Sequence, residues 1–207
     1  MGLGRVAEVN AVVAEMARVP LEVKQDALLS VQLDYLGRDL RGHGYRQEAQ
    51  AVFERGIRWT HAVIKTRSPA EQRELRLGLA ALLYDAERWD DAKQILTQLA
   101  GETPDDIGVR ARLGAVAAHR GDRREVARID RWLAKRQDLY LGGEPAFDRA
   151  RLAAILGERD RALELYHQAL DQAYALRQKG YGVFHPDPDF EALRDYPLFR
   201  ELTRPKD

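Results

Sequence analysis

Apolar residues recur along this chain at three- and four-residue steps, and small residues mark the same place in segment after segment. Val6, Val9, Val12, Val13 and Met16 form the first such stripe, which predicts an amphipathic helix over 5–18 ended by Pro20. Four later segments share one grammar. A first helix carries a Leu or Ala followed by a small residue, a short polar turn follows, and a second helix opens with Ala and places a large apolar residue one turn on. The first segment has Leu36-Gly37, a turn at Gly42-His43-Gly44, then Ala49 and Phe53. The second has Leu79-Ala80, a turn at Ala86-Glu87-Arg88, then Ala92 and Leu96. The third has Leu113-Gly114, a turn at Arg120-Gly121-Asp122, then Val126-Ala127. The fourth has Ala150, a turn at Gly157-Glu158-Arg159, then Ala162, Tyr166 and Ala169. The opening alanines, with Ala127 taken for the third, are 43, 35 and 35 residues apart, close to the period of about 34 of helix-pair repeats in the last two steps. A small residue lets two helices approach closely, and the large residue beside it fills the gap. Neither helix of a pair can bury its stripe alone, so neighbouring pairs must stack.

Breaks in the pattern fall between these segments. Ser68-Pro69-Ala70-Glu71 reads as a capping box with Pro in the first turn, and Thr103-Pro104-Asp105-Asp106 as the same device with an acidic first turn. Asp122-Arg123-Arg124-Glu125 reads as a capping box at the start of a second helix, and Gly142-Gly143-Glu144-Pro145 as a break. No stretch alternates apolar and polar residues with β-branched enrichment, so no sheet is expected. The expected fold is all-α: a right-handed superhelix of antiparallel helix pairs over 30–66, 69–101, 104–137 and 144–179. These follow a partial repeat or cap helix over 1–20, and a C-terminal capping segment over 180–207 completes a single domain. In that cap, Phe190, Leu193, Leu198, Phe199 and Leu202 supply apolar surface to fold back over the last pair. The helix over 5–18 reads as the second helix of a pair whose first is missing, which suggests a fragment of a longer protein.

This grammar resembles the tetratricopeptide repeat family, most clearly at Leu36-Gly37…Ala49…Phe53 and Ala150…Gly157…Ala162…Tyr166…Ala169, with Pro104 where the family's inter-repeat proline falls. The resemblance covers about residues 30–178. The first segment departs from it by running about nine residues long, and the third by an extra residue before Ala127. The tail, His185-Pro186-Asp187-Pro188-Asp189-Phe190 through Phe199, is similar to the closing segment of large bacterial signalling proteins that join a kinase or cyclase module to C-terminal repeats. The family motif encodes packing and carries no chemistry. It implies a protein–protein interaction or scaffolding module within a larger bacterial signalling or regulatory protein, with no enzyme activity of its own and no cofactor.

Composition narrows the function. Hydrophobic residues make up 45% and charged residues 32%, which points to long helices with solvated faces rather than disorder. Lys+Arg and Asp+Glu both number 33, so no global field draws the chain onto nucleic acid or an anionic membrane. There is no cysteine, which excludes disulfides, thiolate zinc sites and cysteine nucleophiles. No apolar run reaches the roughly 18 residues of a membrane span, and no leader-like segment opens the chain, so the cytoplasm is the expected location.

Candidate chemistry is sparse. His185, Asp187 and Asp189 have the donor types of a hard-metal site, but the simpler reading is a turn whose carboxylates cap the next helix, with Asp189 as N-cap before Phe190. His119 through Arg136 is basic, with Arg124, Arg128, Arg131 and Lys135 on one face. Acidic residues interleave and no aromatic platform is spaced through it, so a solvated face outweighs a nucleic-acid site. Trp59, Trp89 and Trp132 fit packing between pairs better than ligand stacking. No two histidines have metal-ligand spacing on a helix, and neither Ser30 nor Ser68 lies in a Gly-x-Ser-x-Gly turn. The expected binding surface is the inner wall made by the first helices, with Asp34, Arg38, Arg41, Tyr84, Arg112 and Arg151 facing outward. Its four arginines suit an acidic protein or peptide partner. The alternative is a small ligand or nucleic acid held in the concave groove.

Overall fold

The computed structural model describes residues 11, 12, 15, 28–136, 139–172 and 187–203. Among them every regular element is helical, and there is no strand. Eight α-helices run in chain order: α1 (Leu28–Gly42), α2 (Arg46–Val63), α3 (Pro69–Asp85), α4 (Trp89–Glu102), α5 (Ile107–His119), α6 (Arg123–Ala134), α7 (Glu144–Ile155) and α8 (Arg159–Asp171). A 3₁₀ turn over Pro188–Leu193 and a short helix α9 (Pro197–Thr203) close the described chain. The expected helix over 5–18 lies outside the described residues except for 11, 12 and 15, which are helical. Residues 173–186, including the expected continuation of α8 and His185, lie outside them as well.

One turn recurs four times in the same form. Gly44, Glu87, Gly121 and Gly157 adopt positive φ, of 90°, 62°, 73° and 76°. At each, the following residue's N–H reaches back five residues: Tyr45 to the Leu40 carbonyl, Arg88 to Leu83, Asp122 to Ala117 and Glu158 to Ala153, all at 2.9 Å. The turn residue's own N–H bonds three residues back, to Arg41, Tyr84, Ala118 and Ala154. This is the Schellman closure of a helix, which satisfies two orphan carbonyls and needs one left-handed residue. The residue after the turn then starts the second helix, its carbonyl accepting from Ala49, Ala92, Val126 and Ala162 at 2.9–3.1 Å.

Counted from these turns, the small residues align without adjustment. Gly37, Ala80, Gly114 and Ala150 stand seven positions before the turn residue, and all are buried. Five positions after it stand Ala49, Ala92, Val126 and Ala162, also buried. The third segment is therefore corrected. Val126 occupies the alanine position at 3% exposure, Ala127 is exposed, and no residue is inserted. The turns are 43, 34 and 36 residues apart. The extra length of the first segment goes into α2, which has 18 residues against 14, 12 and 13 in the other second helices, and into a 3₁₀ turn at Ile64–Thr66.

The starts of α3, α5 and α6 are set by side-chain caps, whereas those of α2, α7 and α8 carry none. Ser68 and Glu71 form the expected reciprocal box, and Pro69 sits in the first turn. The start at Thr103 is corrected: Asp106 is the N-cap, its Oδ1 accepting from Val109 N–H at 3.1 Å, and α5 begins at Ile107. Pro104 lies in the preceding turn, where its carbonyl accepts from Arg110. Asp122 caps α6 by accepting from Glu125 N–H at 3.0 Å, while the Glu125 carboxylate turns to Arg128 at 2.6 and 2.8 Å.

Two compact units divide the chain, residues 1–99 and 100–207. In the first, α1 packs against α2 and α3, and α2 against α3. A Cβ on Gly37 would overlap the Phe53 ring, one on Gly78 would overlap the Ser30 hydroxyl, and one on Gly56 would come within 2.8 Å of Leu82. These three glycines set how closely α1, α2 and α3 approach. Trp59, buried with Val63 and Leu75, packs as expected. In the second unit, α5 packs against α6 and α7, α6 against α7, and α7 against α8. A Cβ on Gly114 would sit 3.0 Å from Ile129 and 3.2 Å from Leu152, so Ile129 takes the gap-filling role in the third pair. Gly143, at φ 81°, opens α7 where a side chain would strike the Ala169 carbonyl. The tail folds back as expected. Phe190, Leu193 and Phe199 are buried with Phe147 and Tyr166, whose rings lie 5.4–5.5 Å from that of Phe190. Leu198 is exposed instead, and the Leu202 side chain lies outside the described residues.

Candidate carboxylate-binding site on the first helices

The six side chains expected on an open inner wall divide between the units, and each unit treats its set differently. In the first unit, Tyr84 is 2% exposed and meets Trp89 edge to face at 5.1 Å. It is a packing residue, because the helical register that carries it away from Ala80 points it at the next second helix. Asp34 is also buried, at 5% exposure, and its Oδ1 has no hydrogen-bond partner among the described residues. Arg38 and Arg41 are half-buried. Arg41 donates to the Asp85 carbonyl at 3.3 Å and pairs with Glu87 at 2.8 Å. A cleft beside it is lined by Arg41, Arg46, Gln50, Phe53 and Glu87.

In the second unit, Arg112 and Arg151 belong to a cluster of charges that covers its own face. Arg151, on α7, sends Nε and Nη2 to Asp189 Oδ2 at 2.9 and 2.6 Å. Its Nη1 lies 3.4 Å from Asp148 Oδ1, one turn back on α7, and its Nε lies 3.7 Å from Asp187 Oδ2. His119, at the end of α5, completes the grip with Nε2 3.2 Å from Asp189 Oδ1. Both oxygens of Asp189 are thus engaged, and its side chain is 1% exposed. A carboxylate caps the turn as expected, but the N-cap is Asp187 rather than Asp189: it accepts from Asp189 N–H at 3.0 Å. Asp187 and Asp189 of the suggested metal triad are therefore committed to Arg151 and His119, and His185 lies outside the described residues.

Burial controls the electrostatics. Desolvation pushes the Asp148 carboxyl up to about 7, with Glu144 adding to the rise and Arg151 and Arg112 opposing it. Charge-assisted bonds such as those from Arg151 are worth about 1.5–3 kcal/mol each. Taking the ions out of water costs several kcal/mol per ion, so the cluster adds little net stability while permitting one arrangement. In chemical terms a planar donor fork and an imidazole converge on one carboxylate, with a cluster of aromatic rings beside it.

Trp132 is half-buried, and the guanidinium carbons of Arg110 and Arg136 lie 4.9 and 3.3 Å from its ring centre. Arg136 also pairs with Asp105 at 2.8 Å, and Arg128 with Glu125, so the basic stretch is partly neutralised along its length. Asp130, inside that stretch, pairs with Arg149 at 3.0 Å and Arg161 at 2.8 Å. Sequence reading missed Asp148 and Glu144 and assigned His119 to the basic stretch. The i, i+3 spacing of Asp148 and Arg151 was the only local signal of the cluster. Among the described residues no helix is long and apolar enough to cross a membrane. No family model matches the chain, and no curated protein or solved structure matches it either.

Proposed function

We propose that the four helix pairs are tetratricopeptide-like repeats wound into a right-handed superhelix, forming a non-catalytic module that binds an acidic protein or peptide on its first-helix faces. The equivalent turns and the aligned small residues support the repeat reading. Within each unit the first helix of one pair packs on the first helix of the next, as such repeats require. The observation that carries the binding function is the grip of Arg151 on Asp189. A first-helix arginine, backed by an apolar seat, holds an acidic segment that arrives from a distant part of the chain. Arg38 stands at the same distance before its turn as Arg151 does before its own, with Arg41 one helical turn further along α1. The first unit therefore carries the same kind of donor on its first helix, and a partner's carboxylate would engage it in exchange for contacts such as that of Arg41 with Glu87.

The full chain can be tested against labelled acidic peptides, basic peptides and an oligonucleotide at low and high salt. The proposal expects retention of acidic peptides, weakened by salt and reduced at least about tenfold by Arg38→Glu and by Arg41→Glu. Undiminished capture by both variants, with their helical circular dichroism intact, overturns the assignment. Retention of the oligonucleotide alone would favour the nucleic-acid alternative.

A further inference from the structure

The tail lies against α7 as a peptide lies in a receptor. Asp187 and Asp189 face Arg151, and Asp189 also meets His119. The Asp187 cap on Asp189 N–H holds the two acids in one short turn. The next residue, Phe190, seats its ring 5.4 Å from Phe147 and 5.5 Å from Tyr166. A terminal cover needs only apolar surface, which Phe190, Leu193 and Phe199 already supply. Buried charges cost desolvation that apolar residues would not, and removing one partner of such a pair leaves the other uncompensated, so the paired acids favour one sequence in this seat over a purely apolar cover.

We propose that this face of α7 is a receptor for Asp-x-Asp-aromatic peptides and that the chain's own tail fills it in cis. A partner carrying such a segment binds here by displacing the tail. The inference rests on the reading of the chain as an interaction module, and it names the partner chemistry for one of its faces. A tethered tail competes at an effective concentration on the order of millimolar, so a free peptide at micromolar concentration is held off by a factor of about a thousand. Access to the face is therefore closed until the tail's grip is weakened.

The test uses the full chain and a fluorescein-labelled peptide of residues 187–199. Asp187→Asn with Asp189→Asn weakens the tail in cis and leaves Arg151, His119, Phe147 and Tyr166 untouched. The peptide should bind this variant at least tenfold more tightly than it binds the unaltered chain. A peptide carrying the same two asparagines should lose at least tenfold. Equal binding to both proteins, or no binding to a variant with unaltered circular dichroism, overturns the inference. Should the variant fail to fold, amide hydrogen exchange on the unaltered chain decides the matter. Amides of Phe190–Leu193 should exchange at least tenfold faster than the interior of α7, through local opening of the tail. Exchange of both only by global unfolding makes the tail an integral part of the core and ends the proposal. Loss of peptide binding here with acidic-peptide capture through Arg38 and Arg41 retained refutes this inference alone, whereas loss of both refutes the interaction reading as well.

Discussion

Gly37 and Gly101 are both helical, yet they stand in opposite surroundings. A methyl on Gly37 would overlap the Phe53 ring, while nothing lies within 4 Å of one on Gly101. Gly37→Ala should therefore cost about 1–3 kcal/mol through overpacking. Gly101→Ala should be neutral or gain up to about 1 kcal/mol from the reduced freedom of the unfolded chain. Urea denaturation of the two variants separates close approach from helix propensity. Asp148 makes a second prediction at this scale. Its carboxyl rises from 3.8 to about 7 on folding, so folding takes up a proton in that range. The stability this lends below pH 4 is lost as the pH rises through 7, a fall on the order of a few kcal/mol. Asp148→Asn should flatten the pH dependence of unfolding between about pH 4 and 7 and make the protein more stable than the unaltered chain at pH 8. An unchanged slope would show that Asp148 does not carry it.

Among the elements, the repeated turn is the most informative. Three of its four left-handed positions are glycine, and the fourth is Glu87 at φ 62°. Nothing lies within 4 Å of a Cβ at Gly121, so Gly121→Ala should report backbone strain alone, about 1–2 kcal/mol in thermal or urea unfolding. Much of the element layout was legible because caps and small residues act locally. Ser68, Pro69 and Glu71 fall in four consecutive residues, and the structure closes the box they suggest. Where two caps compete nearby, the sequence was ambiguous: Thr103 and Asp106 both precede a helical run, and the apolar onset at Ile107 favours Asp106. The third repeat was misaligned for a similar reason. Ala127 matched the residue type, but Val126 stands in register with the turn and is the one buried.

For the molecule as a whole, equal numbers of acidic and basic residues leave recognition to local arrangements, and those arrangements were the least legible part. Arg151 and Asp189 are 38 residues apart, and His119 and Asp189 are 70 apart. Nothing in helical periodicity or turn chemistry links such positions. Arg151 was visible as a first-helix arginine, but its partner waited on the fold-back of the tail, and the outward exposure expected of Tyr84 and Asp34 failed for lack of the same tertiary information. In the tail the cap falls on Asp187 rather than Asp189, because two acids two residues apart offer the same capping chemistry and only the fold-back decides which one meets Arg151. What unites fold and function in this account is that a first-helix arginine selects a carboxylate brought to it by a distant segment. A double-mutant cycle on Arg151→Ala and Asp189→Ala, read by urea denaturation at neutral pH, measures that selection directly. The account predicts a coupling of about 2 kcal/mol or more between the two side chains. Additive effects, with coupling below about 0.5 kcal/mol, would contradict it.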